Sequence, residues 1–219
     1  ETAFAWAKAQ MTQYPQCDTL IYSLTTMLRA SSMKQGKQEQ YDDFFERSYA
    51  GLLNSGEASV KTAAAQALYY SAIEKKQYEK AQQYLDFFAP QDPERKKNQA
   101  FLYQKMGRTQ DALRAYEQLL FDSYQTLDGV FQHLVAAALE QEDFEKARYY
   151  VQKHQQLARL FEMGDYRVYA CELELMQAQK DPAGTLRCAR DMVDAVDTLG
   201  AFCSAPLYAH MAFRPVDRQ

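Results

Sequence analysis

The densest run of side chains able to do chemistry is Asp42-Asp43-Phe44-Phe45-Glu46. Two adjacent carboxylates and a third at i+4 of a helix form the arrangement that holds Mg²⁺ against a diphosphate. Such a site needs a second acidic motif on a facing helix, and the sequence has none. Acidic residues one turn into a helix are also favoured by its macrodipole alone. Ser31-Ser32-Met33-Lys34 carries the Ser-x-x-Lys spacing of an acylating serine. Its companion Lys-Thr-Gly is missing, because Lys61-Thr62 is followed by Ala63. His133, His154 and His210 show neither His-Glu-x-x-His nor Glu-x-x-His spacing, and His154 reads as a packing residue. The cysteines, at 17, 171, 188 and 203, contain no Cys-x-x-Cys pair and read as reduced thiols of a cytoplasmic protein. No glycine-rich phosphate loop is present. The expectation is a protein without catalytic residues, metal ligands or cofactor.

What remains is an architecture that positions surfaces. The chain has 219 residues, 25 basic and 29 acidic, for a net charge of −4. That charge argues against a grip on nucleic acid, which relies on Lys and Arg neutralising phosphates. The one basic cluster, Arg95-Lys96-Lys97, follows Glu94 and is too short for a footprint. No apolar run is long enough to span a membrane, and no basic region precedes an apolar core as in a signal peptide. The chain opens Glu1-Thr2-Ala3 without an initiator methionine, as a piece of a longer polypeptide would.

Ala occurs 31 times, whereas Val and Ile together occur 10 times, which favours helix over strand. Val60, Ala63, Ala64, Ala67, Leu68, Ser71 and Ala72 fall on one helical face. Leu127, Val130, Phe131, Leu134, Val135, Ala138 and Leu139 repeat that pattern. Asp92-Pro93 and Asp181-Pro182 each place a capping carboxylate before a proline at the first helical position. Gly107 and Gly164 are the glycines expected to end helices. The spacing predicts about eleven helices, near 2–14, 18–34, 38–54, 57–75, 78–88, 94–106, 109–123, 127–141, 144–162, 166–179 and 183–198. Connections this short fold sequential helices into antiparallel hairpins.

The chain also repeats itself. Tyr78-Glu79-Lys80-Ala81 returns as Phe144-Glu145-Lys146-Ala147, and Thr109-Gln110-Asp111-Ala112 is a looser copy. A degenerate fourth copy carries Thr185 and Ala189. Periods near thirty residues mean a helical solenoid, in which a small Ala lets paired helices approach. These segments resemble the tetratricopeptide repeat. Tyr103, Gly107, Ala112, Tyr116 and Leu119 occupy its motif positions, as do Ala72, Ala81, Leu85, Phe88 and Pro93 in the preceding segment. The opening helix closing on Tyr14-Pro15, then Leu20–Leu28 and Tyr41–Leu53, resembles the C-terminal half of Xre-type helix-turn-helix transcription regulators of Gram-positive bacteria.

The resemblance implies an all-α, right-handed solenoid of antiparallel helix hairpins forming one domain. Residues 1–56 would be its divergent N-terminal helices, 57–200 the recognisable repeats and 201–219 a cap or tail. It implies a cytoplasmic, non-catalytic module that senses, oligomerises and binds a protein or peptide, with the DNA-binding domain outside this chain. By repeat register the concave groove would present Tyr70, Lys97, Phe101, Gln104, Gln132 and Glu174. A homodimer is consistent with this; contact of this segment with nucleic acid or membrane is not expected. The alternatives are a free-standing scaffold bridging proteins and, more remotely, a helical Mg²⁺-dependent enzyme using Asp42, Asp43 and Glu46.

Overall fold

The computed structural model describes residues 2–164 and 166–196, which are all-α. Residues 201–219, expected as a cap or tail, lie outside the described residues, as do Cys203 and His210. Ten helices are formed among the described residues. They are α1 (Thr2–Gln13), α2 (Asp18–Lys34), α3 (Gln38–Leu52), α4 (Ala58–Glu74), α5 (Tyr78–Leu85), α6 (Pro93–Lys105), α7 (Thr109–Glu140), α8 (Phe144–Leu160), α9 (Tyr166–Ala178) and α10 (Pro182–Asp194).

The expected eleven become ten because 109–123 and 127–141 are one helix of 32 residues. The intervening Tyr124-Gln125-Thr126, like Ser123 before it, holds neither Gly nor Pro. Ser123 and Thr126 donate their hydroxyls to the Leu119 and Asp122 carbonyls at 2.8 and 2.9 Å, bonds that fit inside a helix. Tyr124 is buried, so packing holds the segment where local propensity alone signalled a turn.

Six of the nine turns between the described helices share one device. At Gly36, Lys76, Gly107, Glu142, Glu162 and Lys180 the chain takes a left-handed residue, with φ between 54° and 77°. In each case the next N–H reaches back five residues to a carbonyl, as from Gln77 to Ala72 (2.8 Å) and Asp143 to Ala138 (2.9 Å). This Schellman closure satisfies carbonyls that the helix end would leave bare. The stop of α8 is therefore Glu162, not the expected Gly164. At the starts, Asp92 and Asp181 accept backbone N–H groups as their positions before proline predict, and Asp143 does the same for α8.

The chain divides into two compact units, 1–115 and 116–219. In the first, α1 packs on α2, α2 on α3 and α4, α3 on α4, α4 on α5 and α5 on α6. One part of its core joins Ala7, Leu28, Phe45, Leu52 and Leu68, and another joins Tyr69, Ile73, Ala81, Leu85 and Leu102. Each fully buried Leu there contributes about 1.5–3 kcal/mol. In the second unit α8 packs on α9 and α9 on α10, around Val135, Ala147, Val151, Val168 and Leu175. The recurring Ala81, Ala112 and Ala147 are all buried, as the repeat pattern requires. Gly184 takes this close approach further. A Cβ there would run into the Asp181 carboxylate and stand 2.7 Å from Met176 Sδ, so a larger residue would have to displace the capping side chain. No described helix is long and apolar enough to cross a membrane.

Candidate functional site

In the first unit, α4 and α6 bring four predicted groove residues onto neighbouring elements: Tyr70 on one and Lys97, Phe101 and Gln104 on the other. Tyr70 follows Tyr69, and the two rings diverge as adjacent residues on a helix must. Tyr69 is fully buried and donates to the Asn98 main-chain carbonyl at 2.6 Å. Tyr70 is 36% exposed and donates to Asn98 Oδ1 at 3.2 Å. Its ring stands 5.1 Å from that of Tyr69 and 6.5 Å from that of Phe101. Lys105 lays its ammonium 5.0 Å from the Phe101 ring centroid, an attraction between cation and aromatic face. Lys97 is turned to Glu94 at 2.6 Å along its own helix, and Gln104 is exposed.

Beneath Tyr70 lies a residue that sequence reasoning passed over. Asn98 is 1% exposed, and its Nδ2 is buried without a hydrogen-bond partner. An amide N–H₂ left so is costly, on the order of 1–3 kcal/mol. Its signal was legible: Asn98 lies with Phe101 and Leu102 at i, i+3 and i+4, a polar residue on the apolar face of α6.

Gln132 and Glu174 belong to the second unit and are described there. Gln132 is half-buried and donates to Asp128 Oδ2 at 3.1 Å, so it orients a carboxylate. The other oxygen of Asp128 meets His154 Nε2 at 2.8 Å. Both residues of that pair are sealed from solvent, and Phe131 stacks on the imidazole with centroids 5.8 Å apart. His154 is a packing residue as expected, yet also one arm of a buried polar pair; its Nδ1 is buried without a partner. Glu174 is exposed on α9, and its charge, after burial, helps push the nearby Cys171 thiol up to about 11. Burial pushes Cys188 up to about 11 as well, which keeps both thiols protonated and unreactive. Cys17 is exposed.

The acidic run does not converge on a metal. Lys75, which caps the C-terminus of α4, lies 3.6 Å from Asp42 and pairs closely with Glu46, which also accepts from Ser71 at 3.0 Å. Asp43 points away and stands 3.9 Å from Arg47. The counter-charge that Mg²⁺ would supply is thus already provided by an ammonium. Among the described residues no cluster of three His, Cys, Asp or Glu side chains is disposed to hold a metal ion. Ser31 and Lys34 are both exposed on α2, and Ser31 accepts only a long 3.4 Å bond from Gln35.

No family model, curated protein or solved structure matches the chain.

Proposed function

We propose that the chain is a non-catalytic regulatory domain that binds a peptide or an extended protein segment on the α4–α6 face of its first unit. The observation that carries this reading is the unpaired Asn98 amide under a half-exposed Tyr70 beside Phe101. A peptide supplies what these residues lack. Its main-chain carbonyl is the acceptor for the Asn98 amide, and its apolar side chains suit the Tyr70 and Phe101 rings. Tyr70 closes the site through a single 3.2 Å bond, so it can swing aside at small cost. Lys97 and Gln104 flank the site as polar rim.

The recurring Schellman turns and the sequential packing of α1 through α6 and of α8 through α10 support a right-handed solenoid of tetratricopeptide-like hairpins. With the resemblance to Xre-type regulators, they favour the sensing half of a bacterial transcription regulator whose DNA-binding domain lies outside this chain. Ligand and DNA binding would then be coupled if the ligand prefers one arrangement of the helices.

Two measurements test the reading. Calorimetric titration of an extended peptide library should give binders whose affinity falls at least about tenfold in both Asn98→Ala and Phe101→Ala, with a smaller loss in Lys97→Glu. Unchanged affinity in Asn98→Ala and Phe101→Ala removes the site. The intact mass of the native gene product tests the regulator assignment separately. An N-terminal excess of roughly 8–12 kDa leaves room for a DNA-binding domain, and its absence would favour a free-standing scaffold.

A further inference from the structure

The long helix α7 carries an apolar stripe that faces outward. Phe121, Tyr124, Asp128, Val135 and Ala138 are its buried side. On another side Leu120, Leu127 and Val130 are 46%, 45% and 46% exposed, although the sequence pattern placed Leu127 and Val130 on a core face. Exposed Ser123 and Ala137 continue the same stripe, which carries no charged residue.

The pattern has a physical origin. Residues flanking 123–126 are written as the two facing sides of an antiparallel hairpin, apolar on both arms. Because the helix runs straight through, neither arm can fold back on the other. The same antiparallel pairing is available from a second α7.

We infer that this stripe is the contact surface for a second copy of the chain, joined through α7 about a two-fold axis beside Ser123. That axis sets Leu120 of one copy against Leu127 of the other, and half-buried Tyr116 against Val130. Two serines meet at the crossing, where small side chains permit close approach. A stripe that is its own complement under reversal is what an isologous contact requires and what a foreign partner does not. Charge points the same way. Two chains of net charge −4 repel, and a stripe that presents no charged side chain is where that repulsion opposes contact least. From Tyr116 to Val130 the contact runs about 21 Å at the helical rise. One pair of helices of that length falls short of the ~800 Å² per partner of a standard interface, so the dimer is weak and concentration-dependent.

The test is sedimentation velocity of the full chain from about 1 to about 500 µM, a range that brackets weak association. The wild type should shift from monomer to dimer within it. Leu120→Glu combined with Leu127→Glu, both at exposed positions, should weaken association at least tenfold with an unchanged circular dichroism spectrum. Leu160→Glu, on the exposed side of α8, should leave it unchanged. Ser123→Cys should give, on mild oxidation, a covalent dimer linked through residue 123 by peptide mapping, while wild type gives no such link. A chain that stays monomeric overturns the proposal. So does a dimer indifferent to the double substitution, one equally sensitive to Leu160→Glu, or a Ser123→Cys variant that does not cross-link. None of these outcomes bears on the peptide site of the first unit.

Discussion

Among the described residues, each unit buries one polar group that its core does not fully satisfy, and the two are built in opposite ways. In the first unit Asn98 is neutral, holds an unpaired amide and lies under a tyrosine that is partly in water. In the second, Asp128 and His154 are ionisable, paired at 2.8 Å, stacked under Phe131 and closed to solvent. A neutral unpaired donor near the surface is tolerable in the free protein and gains when an acceptor arrives. A buried carboxylate costs far more to leave alone, so it is locked by a histidine and a glutamine. The first arrangement suits a binding site; the second ties α8 to α7.

The contrast breaks most visibly at His154. Replacing it with Leu leaves Asp128 buried without its principal partner and should destabilise by about 3–5 kcal/mol. In chemical denaturation this appears as a lower midpoint, and Asp128→Leu with His154→Leu should recover most of the loss. Asn98→Leu should change stability by less than about 1 kcal/mol, because it removes an unsatisfied amide as well as an acceptor. If Asn98→Leu proves as damaging as His154→Leu, the distinction between the two sites fails.

The turns give a comparison of intermediate size. Lys76 in the first unit and Glu142 in the second occupy the left-handed position that Gly107 fills elsewhere. A non-glycine residue there strains its Cβ against the following carbonyl, at a cost of roughly 1–2 kcal/mol that glycine's greater unfolded-state entropy offsets in part. Lys76→Gly and Glu142→Gly should each stabilise by about 0.5–1 kcal/mol in thermal unfolding, and Gly107→Ala should destabilise by a similar amount. A loss of stability in both glycine variants would mean that these side chains contribute more than their backbone strain costs.

These same turns show what the sequence could and could not carry. The helical class, the buried Ala81, Ala112 and Ala147, and the caps at Asp92 and Asp181 were legible because they depend on local spacing. The turn between 141 and 144 was legible, but not that Glu142 itself takes the left-handed conformation, which is imposed by the helices it joins. The break expected after Ser123 failed for the converse reason: weak local turn signals lost to the burial of Phe121 and Tyr124. Tyr70 and Phe101 were placed together by repeat register, which is local. Asn98 stood on an apolar face and could have been singled out. The Asp128–His154 pair spans 26 residues, and no spacing rule links two single polar residues that far apart.

The smallest effect concerns the acidic run of α3 and separates it from a metal site. Burial alone would raise the Glu46 carboxyl, but hydrogen bonds from Lys75 and Ser71 and the Lys75 charge hold it below its ordinary 4.5. Lys75 is raised above 10.5 chiefly by its hydrogen bond to Glu46, against the opposing effect of burial. A carboxyl lowered on folding adds stability that is complete above its unfolded value and is lost as pH falls through the folded one. The raised ammonium adds stability that is complete below 10.5 and is lost as pH rises through its folded value. The pair therefore acts between these limits, and solvent exposure keeps it within about 1 kcal/mol. Lys75→Met should lower stability slightly at neutral pH and flatten the loss below pH 4.5, as read from denaturation midpoints against pH. A magnesium site built on Asp42 and Glu46 predicts the reverse sign in the presence of the ion. Removing the competing ammonium would then allow Mg²⁺ to stabilise Lys75→Met above wild type. Equal midpoints with and without Mg²⁺ in that variant leave the ammonium as the structural counter-ion of the run.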